Sequence, residues 1–402
     1  MWVTDLHDTP DLRHVRQELE LAGVEEVELG GHSRRLIEQA DVVIVSPGVP
    51  DAGPIHWTEE ERLPILSEIE LAFHFCEAPI VAVTGTNGKS TAVTLIASVL
   101  TAAGHDAVAC GNLGIPFSSV VEQLTGADVA VVEVSSFQLL RCEQFRPKVG
   151  VLLNVGTNHL DRHQSTHTYL AAKARLFQRQ TPEDWAVLNA RDPRLVALGE
   201  PLLAQQVWFG ENHTNATRFR LAEETRRSLT DGMQAVLQVG RVFGLADPLT
   251  WQVIRTFRGL EHRLEHVATV GGVHFVNDSK STTPESLLYA LAHTRGTLVP
   301  IVGGRDKGLD FSVLAQPLRE PQVRGVVLIG ESRVRLRAVL DGHPAVQECA
   351  SLEEAVRAAA VLAGPGNTVL FSPACASFDM FRDFEHRGRA FKAIVQALKG
   401  TG

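Results

Sequence analysis

Disulfide-forming cysteine spacing is what this 402-residue sequence most plainly lacks. Its five cysteines, Cys76, Cys110, Cys142, Cys349 and Cys375, are scattered and form no C-x-x-C pair. That argues against a disulfide-stapled scaffold and a structural zinc module, and it suits a reducing cytoplasm. A basic excess is also missing: 38 Lys and Arg stand against 47 Asp and Glu, for a net charge of −9. A general nucleic-acid or anionic-membrane surface is therefore not expected, and any anion must be met in a local pocket. The opening MWVTDLHD carries no apolar segment, so no signal peptide is expected. The longest apolar runs, such as 149–153 and 325–329, have strand length and fall far short of the ~20 residues of a membrane span. No repeat, heptad or low-complexity segment interrupts the chain.

What is there is alternation. Hydrophobic residues make up 44% of the chain, ample for packed cores, and the length suits two or three domains. LRHVRQELELAG has helical spacing, and ADVVIVSPGVP reads as a buried strand ending in a Pro-Gly turn. Strand runs recur at IVAVTG, DVAVVEVSS and VGVLLNVG, with helical runs such as TAVTLIASVLTAAGH between them. After a polar stretch at about 210–231 the alternation resumes with GGVHFVNDSK, TLVPIVGG, VRGVVLIG and TVLFSPACAS. Strands separated by helical segments predict parallel sheets with crossover helices. The expected organisation is three α/β units, roughly 1–67, 68–259 and 260–402.

The chemistry-bearing residues sit where strands end. PIVAVTGTNGKSTAVTLIASVL runs from a β-forming stretch through Gly85-Thr86-Asn87-Gly88-Lys89-Ser90-Thr91 into a helix. Glycines let backbone N–H groups approach phosphate, and the helix start adds its positive end. Lys89 would reach terminal phosphates, with Ser90 or Thr91 available to Mg2+. The loop is a clipped version of G-x-x-x-x-G-K-[ST], because Val83 stands where the first Gly belongs. From this segment alone, a plain strand–turn–helix would look the same. Glu133 closes the apolar run of VVEVSSFQL, where a carboxylate calls for a cation partner or for solvent. His159 follows the next strand in LLNVGTNHLDRH. Lys173 shares a helix face with Tyr169 and Phe177, so its amine pKa is expected to fall and the amine to become open to carbamate formation by CO2. His262, Arg263, Asp278, Lys280 and Thr282 cluster in GLEHRLEHV and VNDSKSTT, where Asp278 suits a ribose hydroxyl. Lys307 in VGGRDKGLDF and Ser377 in FSPACASFDMF suit a small anion. Each of these last loops reads equally as ordinary polar surface when taken alone.

Taken together, G-T-N-G-K-S-T, E-V-S-S-F-Q, N-V-x-x-x-H-L-D-R-H, Y-x-A-A-K, L-x-H-R, N-D-S-K-x-T and S-P-A-C-A-S-F-D-x-F resemble the Mur ligase family over nearly the whole chain. The last two, with G-G-x-D-K, resemble most the branch that adds D-glutamate, and the D-N-P-R motif of the diaminopimelate-adding relatives is absent. The resemblance implies an N-terminal Rossmann-like domain that binds a UDP-linked substrate, a central P-loop ATPase-like domain and a C-terminal Rossmann-like domain. It implies a cytoplasmic, monomeric, ATP-dependent ligase that adds D-glutamate to UDP-N-acetylmuramoyl-L-alanine through an acyl phosphate, serving peptidoglycan synthesis and hence cell shape and division. Another Mur ligase, a folylpolyglutamate synthetase-like ligase and a degenerate nucleotide-binding homologue are the alternatives.

By the same resemblance, two Mg2+ ions are expected. Ser90 and Glu133 would hold one, and His159 with carbamylated Lys173 the other. Ser46, Gly48, Asn112 and Ser135 would meet the UDP-linked substrate. Arg263 and Asp278 would meet the nucleotide, and Lys280, Thr282, Lys307, Ser377 and Phe384 would cradle D-glutamate. The chain departs from the family pattern in three places. It starts after the usual opening strand and G-x-G-x-S-G turn, so the first domain is expected to be truncated. Asn158 replaces an acid beside His159, and Gly232 replaces an Asn expected to contact adenine.

Overall fold

A computed structural model describes residues 1–46, 49, 53–112, 114–156, 163–210, 229–257, 259–306, 308–342 and 345–399. The chain divides into two compact units, Met1–Phe257 and Arg258–Gly402. No helix among the described residues is long and apolar enough to cross a membrane.

The first unit begins with two small parallel pairs. Strand β1 (Trp2–Asp5) pairs with β2 (Glu26–Leu29), and β3 (Val43–Val45) pairs with β4 (Ile65–Ser67). Between β1 and β2 runs the helix Pro10–Leu21, capped by Thr9 accepting from the Leu12 N–H and opened by Pro10, which has no N–H to lose. The expected buried strand in ADVVIVSPGVP is corrected here. β3 is half-buried, with Ile44 exposed, because it has one partner strand and belongs to a two-stranded sheet.

The rest of this unit is built on a six-stranded parallel sheet. Its strands are β5 (Ile80–Thr84), β6 (Ala107–Gly111), β7 (Val129–Glu133), β8 (Val149–Leu152), β9 (Trp185–Asn189) and β10 (Gln205–Phe209), in spatial order β10-β9-β8-β5-β7-β6. Every residue of β5 and β7 is buried, as a central parallel strand with both faces covered requires. Alternate side chains feed two cores: Ile80 and Ala82 pack on one face, Val81 and Val83 on the other. The second of these cores includes Val93, Ile96 and Leu100 of the helix Lys89–Ala102.

The second unit repeats the theme. Its strands are β11 (Glu265–Val270), β12 (Val273–Asn277), β13 (Leu298–Val302), β14 (Val326–Leu328), β15 (Val346–Glu348) and β16 (Thr368–Phe371), in order β11-β12-β16-β13-β14-β15. All pairs are parallel except β11–β12, a hairpin turned by Gly271 and Gly272. The sequence pattern predicts crossovers only. The Gly-Gly pair between two alternating runs is the local signal for the hairpin. The polar stretch 211–228 lies outside the described residues.

Candidate active site

In the first unit the phosphate-type loop joins β5 to the helix Lys89–Ala102. Gly88 occupies the N-cap position at φ +82, a left-handed conformation that a side chain would resist, and among the described residues no side chain caps the helix start. The loop is pinned from the neighbouring strand. Asn154, two residues beyond β8, accepts through Oδ1 from the Thr86 N–H (3.0 Å) and the Asn87 N–H (2.9 Å), and donates through Nδ2 to the Asn87 carbonyl (3.1 Å). The Gly156 N–H donates to Thr86 Oγ1 at 2.8 Å. In the sequence Asn154 stands within LLNVGTNHLDRH with nothing local to mark a role. Its work depends on β8 lying beside β5, which the linear chain does not display.

Two ammonium groups converge on this loop. Lys89 Nζ donates to the Gly85 carbonyl (3.0 Å) and the Thr86 carbonyl (3.2 Å), and Lys173 Nζ donates to the same Gly85 carbonyl at 3.0 Å. Lys173 lies on the helix Thr166–Ala174, is 1% exposed and stands 4.4 Å from the centroid of the Tyr169 ring. Burial first, then the Lys89 charge, pushes the Lys173 ammonium down to about 7, while Glu133 pulls it upward. Near neutral pH a large fraction of this lysine is therefore an uncharged, nucleophilic amine.

Glu133 ends β7 and is buried. Asn112 Nδ2 donates to its Oε1 at 2.8 Å, while Oε2 is buried with no hydrogen-bond partner among the described residues. A buried carboxylate oxygen left unsatisfied costs roughly 1–3 kcal/mol or more. A carboxylate oxygen so placed is a donor of the kind a hard divalent cation prefers, and Ser90 is buried in the first turn of the helix that follows the neighbouring strand β5. Ser135 caps the helix Ser136–Leu140 in a capping box with Gln138. Ser46 is exposed just past β3. Gly48 and His159 lie outside the described residues.

In the second unit the candidate residues gather beyond the C-terminal ends of β12 and β16, the side on which open α/β sheets bind ligands. Asp278 accepts from Ser372 Oγ (2.7 Å) and the Leu264 N–H (3.2 Å), and burial raises its carboxyl to about 6. Arg263 lies between two non-glycine residues in the left-handed region, His262 at φ +63 and Leu264 at φ +45. Such backbone costs about 1–3 kcal/mol per residue and persists only where the surroundings impose it. Here His262 is buried, accepts through Nδ1 from Asn277 Nδ2 at 2.8 Å, and fits against Gly388, where a Cβ would lie 2.2 Å from that nitrogen. Lys280 Nζ lies 5.9 Å from the Phe384 ring centroid. Ser377 is buried, Thr282 half-buried, and Lys307 lies outside the described residues. Sequence reasoning also passed over Arg387, a fully buried guanidinium directly behind these loops.

The two units thus offer a phosphate loop with a poised lysine and an unsatisfied carboxylate, and a polar loop cluster suited to a ribose and a small anion. Comparison with known proteins gives this pair a context. Residues 83–242 match the family model of the Mur ligase middle domain, and residues 262–375 match that of the Mur ligase, glutamate ligase domain. The UDP-N-acetylmuramoylalanine--D-glutamate ligase of Pelotomaculum thermopropionicum is 39% identical over 408 residues, covering 95% of this chain and 89% of that protein. The protein of the same name from Geotalea daltonii is 38% identical, covering 99% and 92%. Among solved structures, MurF ligase from Thermotoga maritima in complex with ADP superposes with a TM-score of 0.59 at 17% identity, covering 92% of this chain and 97% of that one. The UDP-N-acetylmuramate-alanine ligase MurC from the same organism gives 0.57 at 17% identity, covering 98% and 93%. Those likenesses show the fold.

Proposed function

The chain belongs to the Mur ligase family, and on that premise we propose that it joins D-glutamate to UDP-N-acetylmuramoyl-L-alanine with cleavage of ATP, an amide-forming step of peptidoglycan synthesis. The observation that supports this most is the convergence of Lys89 and Lys173 on one carbonyl of the phosphate loop, with the buried Glu133 close enough to raise the Lys173 pKa.

A carboxylate is a poor electrophile, so the reaction first supplies a leaving group. An oxygen of the L-alanyl carboxylate attacks the γ-phosphorus, the bond to the β–γ bridging oxygen breaks, and ADP departs. The neutral amine of D-glutamate then attacks the acyl carbon. The tetrahedral adduct expels phosphate, the nitrogen loses a proton, and an amide remains. Both partners of the first step are anions, so positive charge must lie between them. The N–H groups of the Gly85–Thr91 loop and the start of its helix hold the phosphates, and Lys89 lies across them. Ser90 and Glu133 would hold one Mg2+, and His159 with Lys173 a second. When bound, the ions neutralise phosphate charge. The neutral Lys173 amine adds to CO2 and releases a proton, which turns a cation into a carboxylate-like ligand.

Asn112, Ser135 and the turn at Ser46 and Gly48 are assigned to the UDP-linked substrate. Arg263 and Asp278 are assigned to the nucleotide, and Lys280, Thr282, Lys307, Ser377 and Phe384 to D-glutamate. The corresponding division is 1–67 for the UDP-linked substrate, 68–259 for ATP and 260–402 for D-glutamate. On the same reading we assign the enzyme to the cytoplasm, as a monomer. ADP release measured across a panel of UDP-muramoyl substrates and amino acids tests the assignment. Turnover should require UDP-N-acetylmuramoyl-L-alanine and D-glutamate together. Turnover with L-alanine or diaminopimelate instead would overturn it.

A further inference from the structure

The D-glutamate assignment leaves without a task the most deeply buried Lys or Arg among the described residues of the second unit. Arg387 is 1% exposed and heads the fully buried side chains by volume. It stands near the start of the helix Phe384–Lys399. Its Nε donates to Ser279 Oγ (3.0 Å), its Nη2 to the Ser279 carbonyl (2.7 Å) and its Nη1 to the Cys375 carbonyl (2.9 Å). Ser279 directly precedes Lys280, and Cys375 stands two residues before Ser377. One side chain therefore ties the loop after β12 to the loop after β16. Ser279 Oγ passes the connection on, donating to the Phe384 carbonyl at 2.8 Å, and the Phe384 ring faces Lys280.

Among the described residues no carboxylate accepts from this guanidinium; its hydrogen bonds go to two carbonyls and a hydroxyl. The nearby carboxylates act on it through space only: Asp278 accepts from Ser372 and Leu264, and Asp379 accepts from the Glu331 N–H through Oδ2, its buried Oδ1 having no hydrogen-bond partner among the described residues. A buried cation without a bonded counter-ion keeps its field in a low-dielectric surround, where charge acts most strongly. The planar fork also sets three acceptor directions at once, which an ammonium cannot do.

We propose that Arg387 is the positioning residue of the D-glutamate arm: its buried guanidinium locks the Ser279 and Cys375 loops together, so that Lys280 and Ser377 stand at a fixed spacing for a dicarboxylate. The inference rests on the D-glutamate assignment above. It separates Arg387 from Lys280 and Ser377, which touch the ligand, and it predicts an effect confined to one substrate.

The test compares Arg387→Met, Arg387→Lys and the native full-length chain in steady-state assays with each substrate varied. Arg387→Met should raise KM for D-glutamate about 100-fold and KM for ATP less than about three-fold, with Arg387→Lys recovering about a tenth of the difference or less because the fork is lost. Equal rises in both KM values, or an unchanged KM for D-glutamate, would overturn the proposal. Should Arg387→Met fail to fold, Ser279→Ala decides, since it removes one acceptor and keeps the carbonyl. A rise of about five-fold in KM for D-glutamate alone is expected there, and no rise refutes the lock. Trapping the acyl phosphate with hydroxylamine in the native chain, without D-glutamate, keeps the two ideas apart. No hydroxamate from UDP-N-acetylmuramoyl-L-alanine and ATP would defeat the ligase assignment itself.

Discussion

Among the described residues the two units bury one Lys or Arg each, and they treat it in opposite ways. In the first, Lys173 is held where burial and Lys89 bring its pKa to about 7, while the loop itself is pinned by the neutral amide of Asn154. In the second, the pin is the cation: Arg387 stays protonated even though burial lowers it to about 10. On the proposed assignments, the difference follows from what each site would handle. Where phosphate is transferred, a group able to lose its charge offers further chemistry. Where an anion is only held, a permanent charge is the better support.

The sharpest way to break this contrast is to remove the titratable member. Lys173→Ala should lower kcat by about 10³-fold, the scale of losing a charge partner in a transition state. Acetate or propionate should restore part of it by supplying the missing carboxylate. A fully active alanine variant would end the carbamate role. Asn154→Ala tests the neutral pin. The Asn87 N–H would lose its partner, and kcat/KM for ATP should fall about 10–100-fold as the loop loosens. A drop in kcat/KM for D-glutamate with ATP saturating and unaffected would contradict that role.

A pH series sharpens the comparison without touching activity. Lys173 has a folded pKa near 7 against an ordinary 10.5, so between those values the unfolded chain binds more protons and stability should rise with pH. Asp278 has the opposite sign. Its carboxyl is raised to about 6 from 3.8, so its contribution is full below about 4 and is lost as pH rises through 6. Arg387, lowered to about 10, adds little slope below about pH 9. Melting temperatures of the native chain and Lys173→Met between pH 7 and 10 should therefore diverge, with the native curve rising more steeply. The smallest effect is expected where neither device acts. A Cβ at Gly232, in the first turn of the helix Asp231–Val242, would meet nothing within 4 Å. Gly232→Asn should be tolerated, stabilise that helix by up to about 0.5 kcal/mol, and lower KM for ATP a few-fold if adenine lies alongside.

How much of this could be seen in the sequence depends on how local each feature is. The phosphate loop was legible because strand, glycines and helix follow one another in twenty residues. Lys173 was legible as unusual because Tyr169 and Phe177 share its helix face, and both are buried in the same core. Asn154 and Arg387 were not. Asn154 reads as a polar residue after a strand, and its partners lie 67 and 68 positions away, brought near by the order β8-β5. Arg387 reads as one more charge on an amphipathic helix. It is buried because β12 and β16 are neighbours, which places loops 108 and 12 residues distant around its fork. The depth of β3 was misjudged for a related reason: Val43–Val45 has the composition of a central strand but only one neighbour.

That last feature reaches beyond packing. Among the described residues, each of β1 to β4 is hydrogen-bonded on one side only, whereas β5 and β7 are flanked on both. Backbone amides on the open edges have little to break before they meet solvent, so the first 67 residues are the part of the chain where hydrogen exchange should run fastest and proteases should enter first. A segment with so little cooperative unfolding energy of its own responds strongly to whatever binds it. The region assigned to the UDP-linked substrate is thus the one whose order the substrate can change most. Its arrival should appear as slowed exchange across β1 to β4 while the central sheet, already protected, barely registers it.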